Sequence, residues 1–458
     1  MKSITCFKAY DLRGRIPSEL NDDVAYRVAR GYAQFLRPAR VVVGRDIRLS
    51  SSGLADAVCR GLTDSGVEVF DIGICGTEGV YFATFNDKAA DGGIMITASH
   101  NPPDYNGLKF VREQSKPISG DNGLKEIRAF AERGEFAAPA RTGERRRVDV
   151  QAAYVAHLLS YVDAKRLKPL KIVVNAGNGG AGPVIDALEA HLPFTFEKIH
   201  HQPDGHFPNG IPNPMLQENR APTAEAIRRH GADFGIAWDG DFDRCFFFDE
   251  RGAFIEGYYI VGLLASVLLR GNAGGRVVHD PRLTWNTLEM VQAAGGVPVL
   301  SKSGHAFIKQ RMREVDGVYG GEMSAHHYFQ RFAYCDSGMI PWLIIAQILS
   351  ESGQTLSALV GERISRFPVS GELNYRVPDA KATLAALEAR YAPQAMTVDR
   401  TDGVSFEFAD WRFNLRSSNT EPLIRLNVEA RGSVALMQAK TAELLAALTA
   451  QGAVAADH

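Results

Sequence analysis

Residues 93–102 read GIMITASHNP, an apolar run that ends in polar, turn-forming side chains. Such runs are typical of buried strands. We therefore predict a strand that brings the Ser99 hydroxyl and the His100 imidazole to the end of a sheet, with the Lys109 amine a few residues further on. A serine hydroxyl in such company can be activated as a nucleophile. The alternative is an ordinary strand and turn, in which Ser and Asn bond their own backbone.

A strand that leads into an unusual loop recurs three times along the chain. Each copy has a first strand, a helical segment, a second strand, and a third strand followed by a polar loop. These strands are predicted at 41–43, 67–70 and 93–96, at 172–174, 194–196 and 234–237, and at 277–278, 297–300 and 318–319. The alternation predicts α/β units with largely parallel sheets, whose strand carboxyl ends bind ligands. The three loops could then meet in one cleft, although short apolar strands also look alike by chance.

Residues 368–458 have a different pattern. Strand-like segments at 373–377, 404–408, 411–415 and 423–428 are combined with helices near 380–390 and 434–448. This order is typical of an antiparallel α+β unit. We therefore predict three related α/β domains with mixed sheets between helices, and a smaller C-terminal α+β domain, around a central cleft. The predicted domain limits are 1–145, 146–252, 253–367 and 368–458.

Composition narrows the class of protein. The 458 residues are 45% hydrophobic and 23% charged, with a net charge of −2, so neither nucleic acid nor a membrane surface is expected as a partner. Five scattered cysteines without a C-x-x-C pair favour a reducing compartment. The first residues lack the apolar segment and cleavage site of a signal peptide. We expect a cytoplasmic protein, a monomer or weak homo-oligomer, that acts on small molecules.

The second polar loop, residues 239–244, reads DGDFDR. On a turning backbone, Asp239, Asp241 and Asp243 can converge on one hard cation, and Arg244 can pair with a carboxylate or a phosphate. Three acids directly after a buried strand repel one another unless they are neutralised, which favours metal binding. A structural calcium loop and an acidic turn that binds nothing are the alternatives.

The third polar loop, residues 320–327, reads GGEMSAHH. A carboxylate next to a hydroxyl, here Glu322 and Ser324, can bind vicinal sugar hydroxyls because the carboxylate accepts two hydrogen bonds. The pair His326 and His327 suggests a metal site as the alternative, but no third nitrogen or sulfur ligand is near in the sequence.

A fourth polar loop, residues 415–422, joins two predicted strands of the last unit and reads LRSSNTEP. Its guanidinium, hydroxyls and backbone N–H groups can surround a phosphate, and a polar hairpin turn is the alternative. The side chains concerned are those of Arg416, Ser418, Asn419 and Thr420. Near the start of the chain, Tyr10 and Arg13 are further candidate phosphate ligands. A nucleophile, a metal site, a hydroxyl-binding loop and a phosphate-binding loop together indicate phosphoryl transfer on a sugar.

The motifs TASHNP, DGDFDR, GEMSAHH and RSSNTEP, in this order, resemble the four characteristic loops of the α-D-phosphohexomutases. FKAYDLRG, DIGICGTE and KSGHAFIK add to the resemblance, which extends from about residue 8 to the final helix. Within that family the chain resembles bacterial phosphomannomutases and the dual phosphomannomutase/phosphoglucomutases. Phosphoglucosamine mutases usually carry GTDGIRG-like and GEQSGH-like segments and match less well.

The resemblance implies a role for individual residues. Ser99 would be the phosphoserine and would hold Mg²⁺ together with the three aspartates, while Glu322 and Ser324 would bind the O3 and O4 hydroxyls of the sugar. The phosphate that is not transferred would be held by Arg416, Ser418, Asn419 and Thr420. Further positions that match the family's active site are Arg13, Lys109, Arg244, His305 and His326. Arg282 stands where some relatives have a lysine that contacts the substrate phosphate.

The implied activity is the interconversion of mannose 6-phosphate and mannose 1-phosphate, with glucose phosphates as additional substrates. Phosphate would pass from the serine to the substrate, giving a hexose 1,6-bisphosphate that turns around and that also serves as activator. Phosphoglucosamine mutase is the alternative within the family. Outside it, the alternatives are a sugar-phosphate phosphatase and a non-catalytic protein that binds sugar phosphates.

Overall fold

The computed structural model describes residues 3–87, 90–417 and 423–456. The chain divides into two units. The first unit comprises Met1–Phe254 and Arg331–Gly353, and the second comprises Ile255–Gln330 and Gln354–His458. The predicted loops of TASHNP and DGDFDR therefore belong to the first unit, and those of GEMSAHH and RSSNTEP to the second.

Helices and strands alternate along most of the described residues. The helices are α1 (Asp22–Leu36), α2 (Ser51–Thr63), α3 (Thr77–Asn86), α4 (Leu124–Arg133), α5 (Gln151–Leu159), α6 (Ala181–Glu189), α7 (Ala221–His230), α8 (Gly257–Leu268), α9 (Trp285–Ala293), α10 (His305–Val315), α11 (Ile340–Ser352), α12 (Leu356–Arg366), α13 (Ala380–Tyr391) and α14 (Val434–Thr449). The strands are β1 (Leu12–Arg15), β2 (Arg40–Arg45), β3 (Glu68–Ile74), β4 (Gly92–Ile96), β5 (Tyr105–Arg112), β6 (Arg145–Arg147), β7 (Lys171–Asn175), β8 (Thr195–Ile199), β9 (Phe234–Trp238), β10 (Cys245–Phe248), β11 (Phe254–Ile255), β12 (Arg276–His279), β13 (Val297–Leu300), β14 (Tyr319–Gly321), β15 (His327–Phe329), β16 (Cys335–Asp336), β17 (Val369–Arg376), β18 (Thr397–Asp399), β19 (Val404–Glu407), β20 (Trp411–Ser417), β21 (Leu423–Ala430) and β22 (Val454–Ala455).

The first sheet has the strand order β1-β5-β4-β2-β3-β6. Strands β2, β3, β4 and β6 are parallel, and β5 runs antiparallel to β1 and β4. The apolar centres of β2 and β4 are buried in the core, which explains why both were recognisable as strands. Because Arg45 of β2 pairs with Ile96 of β4, the loops that follow these two strands begin side by side.

Three arginines lie at the predicted limit between the first and second domains. Arg145–Arg147 form β6 and extend the first sheet beside β3. Charged side chains are common on such short edge strands because they discourage further pairing. The arginines of β6 form salt bridges with acidic side chains, such as the one from Arg145 to Asp71.

The second sheet has the order β11-β10-β9-β7-β8. Strand β7 is parallel to β8 and β9, whereas β10 is antiparallel to β9 and pairs Cys245 with Trp238. The DGDFDR segment is therefore the connection of a β-hairpin. The indole N–H of Trp238 donates a hydrogen bond to the carbonyl of Gly338 (2.8 Å), which anchors β9 to the segment before α11.

The second unit contains two sheets. In one, β13, β12, β14 and β15 lie side by side, with β12 parallel to β13 and β14, and with β15 antiparallel to β14. In the other, the order is β18-β19-β20-β21-β17-β22, and its pairs are antiparallel. Helices α13 and α14 contribute Leu387, Leu444 and Leu448 to the core beneath the second of these sheets. The predicted antiparallel α+β unit is thus confirmed.

Among the described residues, no single helix is both long and apolar enough to cross a membrane, and only α11 and α12 taken together reach that length and composition.

Candidate active site

Ser99 lies in the loop between β4 and β5. Its backbone has a φ of 50°, in the left-handed region that is costly for a residue with a side chain. The buried hydroxyl donates a hydrogen bond to Oδ2 of Asp239 (2.8 Å), and Nδ1 of His100 is 3.1 Å from Oγ of Ser99. Strained residues of this kind concentrate at functional sites. The hydroxyl predicted as nucleophile is thus placed against the acidic loop of the second sheet.

The three aspartates of the β9–β10 hairpin form one buried cluster. One carboxylate oxygen from each of Asp239, Asp241 and Asp243 lies within 4.8 Å of the others. Gly240 permits this arrangement, because a Cβ at this position would lie 2.7 Å from the carbonyl oxygen of Ser99. The alternating carboxylates of the sequence therefore do converge, and they do so beside the serine loop.

Lys109, on β5, neutralises part of this charge. Its ammonium lies 2.7 Å from Oδ2 of Asp241 and 2.7 Å from Oδ2 of Asp243. Burial opposes the charged form of Lys109, but the two carboxylates outweigh it and raise the pKa of its ammonium. Lys109 therefore carries a positive charge beside the two carboxylates.

The cluster fits a divalent cation. Oδ1 of Asp241 is buried and accepts no hydrogen bond within the described part of the chain. Burial raises the pKa of Asp241 and so does Asp243, but Lys109 and Thr77 lower it more, so this carboxylate is ionised. Burial raises the pKa of Asp239 to about 6, against the opposing effect of Arg244. Oxygen ligands of this kind suit a hard cation such as Mg²⁺.

Arg244 connects the acidic loop with His100. Its Nε and Nη2 donate hydrogen bonds to Oδ2 of Asp239 (2.9 and 2.8 Å), and Nη2 also donates to Nδ1 of His100 (2.5 Å). Burial lowers the pKa of His100 well below its usual range, and Arg244 and Arg13 add to the shift. His100 is therefore neutral, with Nδ1 as an acceptor close to the serine hydroxyl.

Arg13, on β1, lies on the other side of the serine loop. Nη1 donates to the carbonyl of Ala98 (3.2 Å) and to the side chain of Asn101, while Nε donates to Asp11 (3.0 Å). Tyr10 is half-buried and close enough to interact electrostatically with Arg13. Arg13, one of the two candidate phosphate ligands from the start of the chain, thus lies against the serine loop, and Tyr10, the other, lies near Arg13.

In the second unit, Glu322 is the centre of the predicted sugar-binding loop. Its Oε1 accepts from the backbone N–H of Gly304 (2.8 Å), and its Oε2 accepts from the hydroxyl of Tyr328 (2.6 Å). Nδ1 of His326 lies 3.6 Å from Oε2 of Glu322 and 3.4 Å from Oγ of Ser324. Because Gly304 immediately precedes His305, the first residue of α10, His305 belongs to the same neighbourhood.

Arg282 lies against acidic side chains of the second unit. Its Nη2 donates to Oδ2 of Asp280 (2.9 Å), and weaker contacts reach Glu322 (3.3 Å) and Ser324 (3.2 Å). Nη1 of Arg282 is 3.4 Å from Glu372. The guanidinium is therefore held beside the sugar-binding loop by carboxylates.

Glu372, on β17, is shared by several cations. Besides Arg282, it contacts Nη2 of Arg416 (3.1 Å) and Nη1 of Arg425 (3.5 Å). Burial opposes ionisation, but the guanidinium groups of Arg416, Arg282 and Arg425 lower the pKa of Glu372 to about 2. Arg416 is thus oriented by an internal anion. The predicted phosphate ligands Ser418, Asn419 and Thr420 lie outside the described residues.

Family models match four consecutive segments of this chain. They describe the phosphoglucomutase/phosphomannomutase alpha/beta/alpha domains I, II and III and the C-terminal domain, and they match residues 5–138, 152–252, 256–367 and 372–447. The chain belongs to the phosphoglucomutase/phosphomannomutase family. The resemblance drawn from the four loops is therefore confirmed, and so is the four-domain fold.

The names of individual similar proteins agree with this family assignment. A phosphomannomutase of Salmonella montevideo is 58% identical over 452 residues, which cover 97% of this chain and 99% of the relative. A protein named phosphohexose mutases from Xanthomonas campestris pv. campestris (strain B100) is 61% identical over 443 residues, covering 96% and 98%. The crystal structure of a phosphoglucomutase/phosphomannomutase family protein from Burkholderia thailandensis has a TM-score of 0.89 and 32% identity, covering 100% of this chain and 99% of that one. The predicted enzyme class, an intramolecular phosphotransferase, is thereby confirmed.

Thr77 contacts the acidic cluster, although its own position in the sequence suggested no role for it. Its hydroxyl donates to Oδ2 of Asp241 (2.5 Å) and lies 3.2 Å from the ammonium of Lys109. Its backbone N–H donates to the carbonyl of Asp241 (3.1 Å). The signal was the DIGICGTE segment, which carried the resemblance and ends at the start of α3.

The backbone conformation of Ala325 is another property of the site that the sequence did not reveal. It has a φ of 68°, so the GEMSAHH loop makes a left-handed turn at a residue with a side chain. The backbone N–H of Ala325 donates to the carbonyl of Glu322 (3.0 Å) and closes this turn. The turn positions Glu322 and His326 on the same side of the loop, as their contact distance requires.

Proposed function

We propose that this phosphohexomutase interconverts mannose 6-phosphate and mannose 1-phosphate and also accepts the corresponding glucose phosphates. The observation that carries the proposal is the placement of the Ser99 hydroxyl against three buried carboxylates and one ammonium. The names of the two close relatives, phosphomannomutase and phosphohexose mutases, supply the substrate class.

In the proposed reaction, Ser99 carries a phosphoryl group. The bond between phosphorus and Oγ of Ser99 breaks while a sugar hydroxyl oxygen forms a new bond to the same phosphorus; the sugar hydroxyl loses its proton and Oγ of Ser99 gains one, giving a hexose 1,6-bisphosphate and a free serine. The bisphosphate rebinds in the opposite orientation and returns its other phosphoryl group to Ser99. On this return, the serine hydroxyl loses the proton that it donates to Oδ2 of Asp239 in this structure (2.8 Å), and the sugar oxygen that leaves phosphorus gains one.

Charge neutralisation is the main requirement of phosphoryl transfer, because the protein has little covalent chemistry to perform. Asp239, Asp241 and Asp243 would hold Mg²⁺ together with the Ser99 phosphate, and the cation would neutralise charge on the transferring group. The protein's own contribution comes from Lys109 and Arg244, which are buried cations at the same cluster. Arg13 and Tyr10 would complete the surroundings of the phosphoserine.

The second unit would supply recognition of the sugar and of the other phosphate. Glu322 and Ser324 would bind the O3 and O4 hydroxyls, with His326 beside them as a further proton-exchanging group. The phosphate that stays on the sugar would be bound by Arg282, His305, Arg416, Ser418, Asn419 and Thr420. Since mannose and glucose share their configuration at C3 and C4, these contacts predict that both sugars are substrates.

The test is a pair of coupled assays with mannose 1-phosphate and glucose 1-phosphate, each with a trace of hexose 1,6-bisphosphate as activator. Intact-mass and peptide spectra should locate one phosphate on Ser99 of the active enzyme. Ser99→Ala should lose nearly all turnover, whereas Ser65→Ala, which changes a serine two residues beyond α2, should behave as wild type. Release of inorganic phosphate would instead identify a phosphatase, and binding without turnover would identify a non-catalytic protein.

A further inference from the structure

Arg48 lies in the loop that follows β2, and its side chain is buried against the serine loop. Its guanidinium donates hydrogen bonds to four backbone carbonyls of residues 99–105. These are the carbonyls of Ser99 (3.0 Å), Asn101 (2.6 Å), Pro102 (2.7 Å) and Tyr105 (3.1 Å). One side chain thus bonds four backbone carbonyls in and next to the loop that carries the nucleophile.

The position of Arg48 follows from the sheet. Strands β2 and β4 are parallel neighbours, so the chain leaves both at the same edge. The backbone N–H of Asp46 donates to the carbonyl of Ile96 (2.9 Å), which keeps the two loops together. Arg48 then needs to reach over only a short distance to the carbonyls beyond Ser99.

Asp46 forms an ion pair with the guanidinium and a hydrogen bond with the backbone of Arg48. Its Oδ1 accepts from the backbone N–H of Arg48 (3.0 Å) and from the hydroxyl of Ser51 (2.5 Å), and its Oδ2 is 3.4 Å from Nε of Arg48. The ring of Phe207 packs over the guanidinium, and its centroid lies 5.2 Å from Cζ of Arg48. The guanidinium serves its four acceptors from two nitrogens of a rigid planar fork, whereas an ammonium has only three donors, all on one atom.

The serine loop needs this support because of its backbone conformation. Ser99 has a φ of 50°, which is unfavourable for a residue with a side chain unless the surroundings enforce it. Its carbonyl is turned inward, where an unpaired acceptor would be costly. Gly240 approaches the same carbonyl so closely that no Cβ fits there, so Arg48 and the acidic hairpin hold Ser99 from two sides.

We propose that Arg48 is a positioning residue for the nucleophile. It fixes the backbone of Ser99 so that the hydroxyl points at the acidic cluster, and it makes no contact with the reacting atoms. The inference rests on the proposed function, in which Ser99 carries the phosphoryl group. A misplacement of the order of 1 Å at a reacting atom can lower a rate by about a hundredfold.

The experiment compares Arg48→Lys with Arg45→Lys in the full-length enzyme. Arg45 is three residues away, and its guanidinium lies 3.6 Å from Asp71, away from the serine loop. Arg48→Lys should lower kcat by about a hundredfold and leave KM within about threefold, since substrate contacts are intact and only the nucleophile is misplaced. The rate at which Ser99 takes up phosphate from hexose 1,6-bisphosphate, followed by intact mass, should fall in parallel. Arg45→Lys should leave both rates unchanged.

A second variant separates positioning from general damage to the fold. Arg48→Ala should regain at least tenfold in kcat when guanidinium chloride is added at a concentration that does not denature the protein, whereas equal sodium chloride or urea should have no effect. Wild-type kcat in a folded Arg48→Lys enzyme would overturn the inference, and so would a loss that appears in KM alone or the absence of guanidinium rescue. If Ser99→Ala itself retained full turnover, the proposed function would fail, whatever the Arg48 variants do.

Discussion

The hydroxyl of Ser99 and the carboxylate of Asp239 are joined by a 2.8 Å hydrogen bond although they are separated by 140 residues in the sequence. The first residue follows a strand of one sheet, and the second follows a strand of the next. Each lies beyond the carboxyl end of its strand, where α/β sheets place their ligands. The contact brings the candidate nucleophile to the candidate metal ligands within the first unit.

Replacing Asp241 by Asn should remove a metal ligand. The expected loss of transition-state stabilisation is several kcal/mol, which corresponds to a fall in kcat/KM of at least about a hundredfold. Mg²⁺ should raise the melting temperature of the wild type but not of Asp241→Asn, because only the former binds it. Asp64→Asn, at the exposed end of α2, is the control and should behave as wild type. Undiminished turnover after exhaustive chelation would show that the aspartate cluster is structural.

Thr77 should tune metal binding through its hydrogen bond to Asp241. Thr77→Val keeps the shape of the side chain but leaves a buried acceptor short of a donor, which should cost about 1–3 kcal/mol of stability. The affinity for Mg²⁺, measured by calorimetry, should fall by roughly 10–100-fold, as for other partners of metal ligands. Thr77→Ser should retain most of both. Thr84→Val is the matched control on α3, since that hydroxyl bonds only to the carbonyl of Val80 among the contacts described. Equal effects at both positions would contradict a role for Thr77 at the metal site.

Glu322→Gln should impair the mannose and glucose reactions by similar factors, because the carboxylate is proposed to bind hydroxyls that both sugars share. In both enzymes, the ratio of the kcat/KM values for the two substrates should correspond to a difference in transition-state free energy of no more than roughly 1–3 kcal/mol, which is the scale of one modest contact. Glu314→Gln, on the exposed side of α10, is the control. If glucose 1-phosphate is inert while mannose 1-phosphate reacts, a group that recognises the C2 hydroxyl must exist, and dual specificity is refuted.

Glu372→Gln should destabilise the protein by about 3–5 kcal/mol at neutral pH, because it leaves the neighbouring guanidinium groups without their buried partner. The pKa of Glu372 is lowered from 4.5 to about 2 in the folded protein, so its stabilisation is present above the unfolded pKa and disappears as the pH falls from about 4.5 to 2. The difference in urea unfolding between wild type and variant should therefore shrink across this window. Glu362→Gln, an exposed residue of α12, should show little difference at any pH. A difference for Glu372→Gln that does not depend on pH would contradict the assignment.

The fold class and the chemistry of the loops could be predicted from local patterns of the sequence. Apolar runs such as 94–96 and 234–237 are buried on both faces, so they were recognisable as strands without any partner. The helix at Ala380–Tyr391 and the strands of the C-terminal unit were predicted for the same reason, because burial imposes a periodic pattern on the local sequence. The acids of DGDFDR and the carboxylate of GEMSAHH could be assigned a chemistry because their side-chain types and spacing are local properties.

Contacts between residues that are distant in the sequence could not be predicted in this way, because they depend on the tertiary structure. Thr77, Lys109 and Asp241 come from three separate elements, and nothing in their local sequences requires a hydroxyl and an ammonium at one carboxylate oxygen. Arg48 is equally invisible as a site residue, since its partners are backbone carbonyls that carry no sequence signature. The left-handed backbone of Ser99 is also a product of packing, because its intrinsic preference is against it. Secondary structure is encoded by local burial, whereas a site is assembled by long-range contacts whose geometry depends on how the sheets pack.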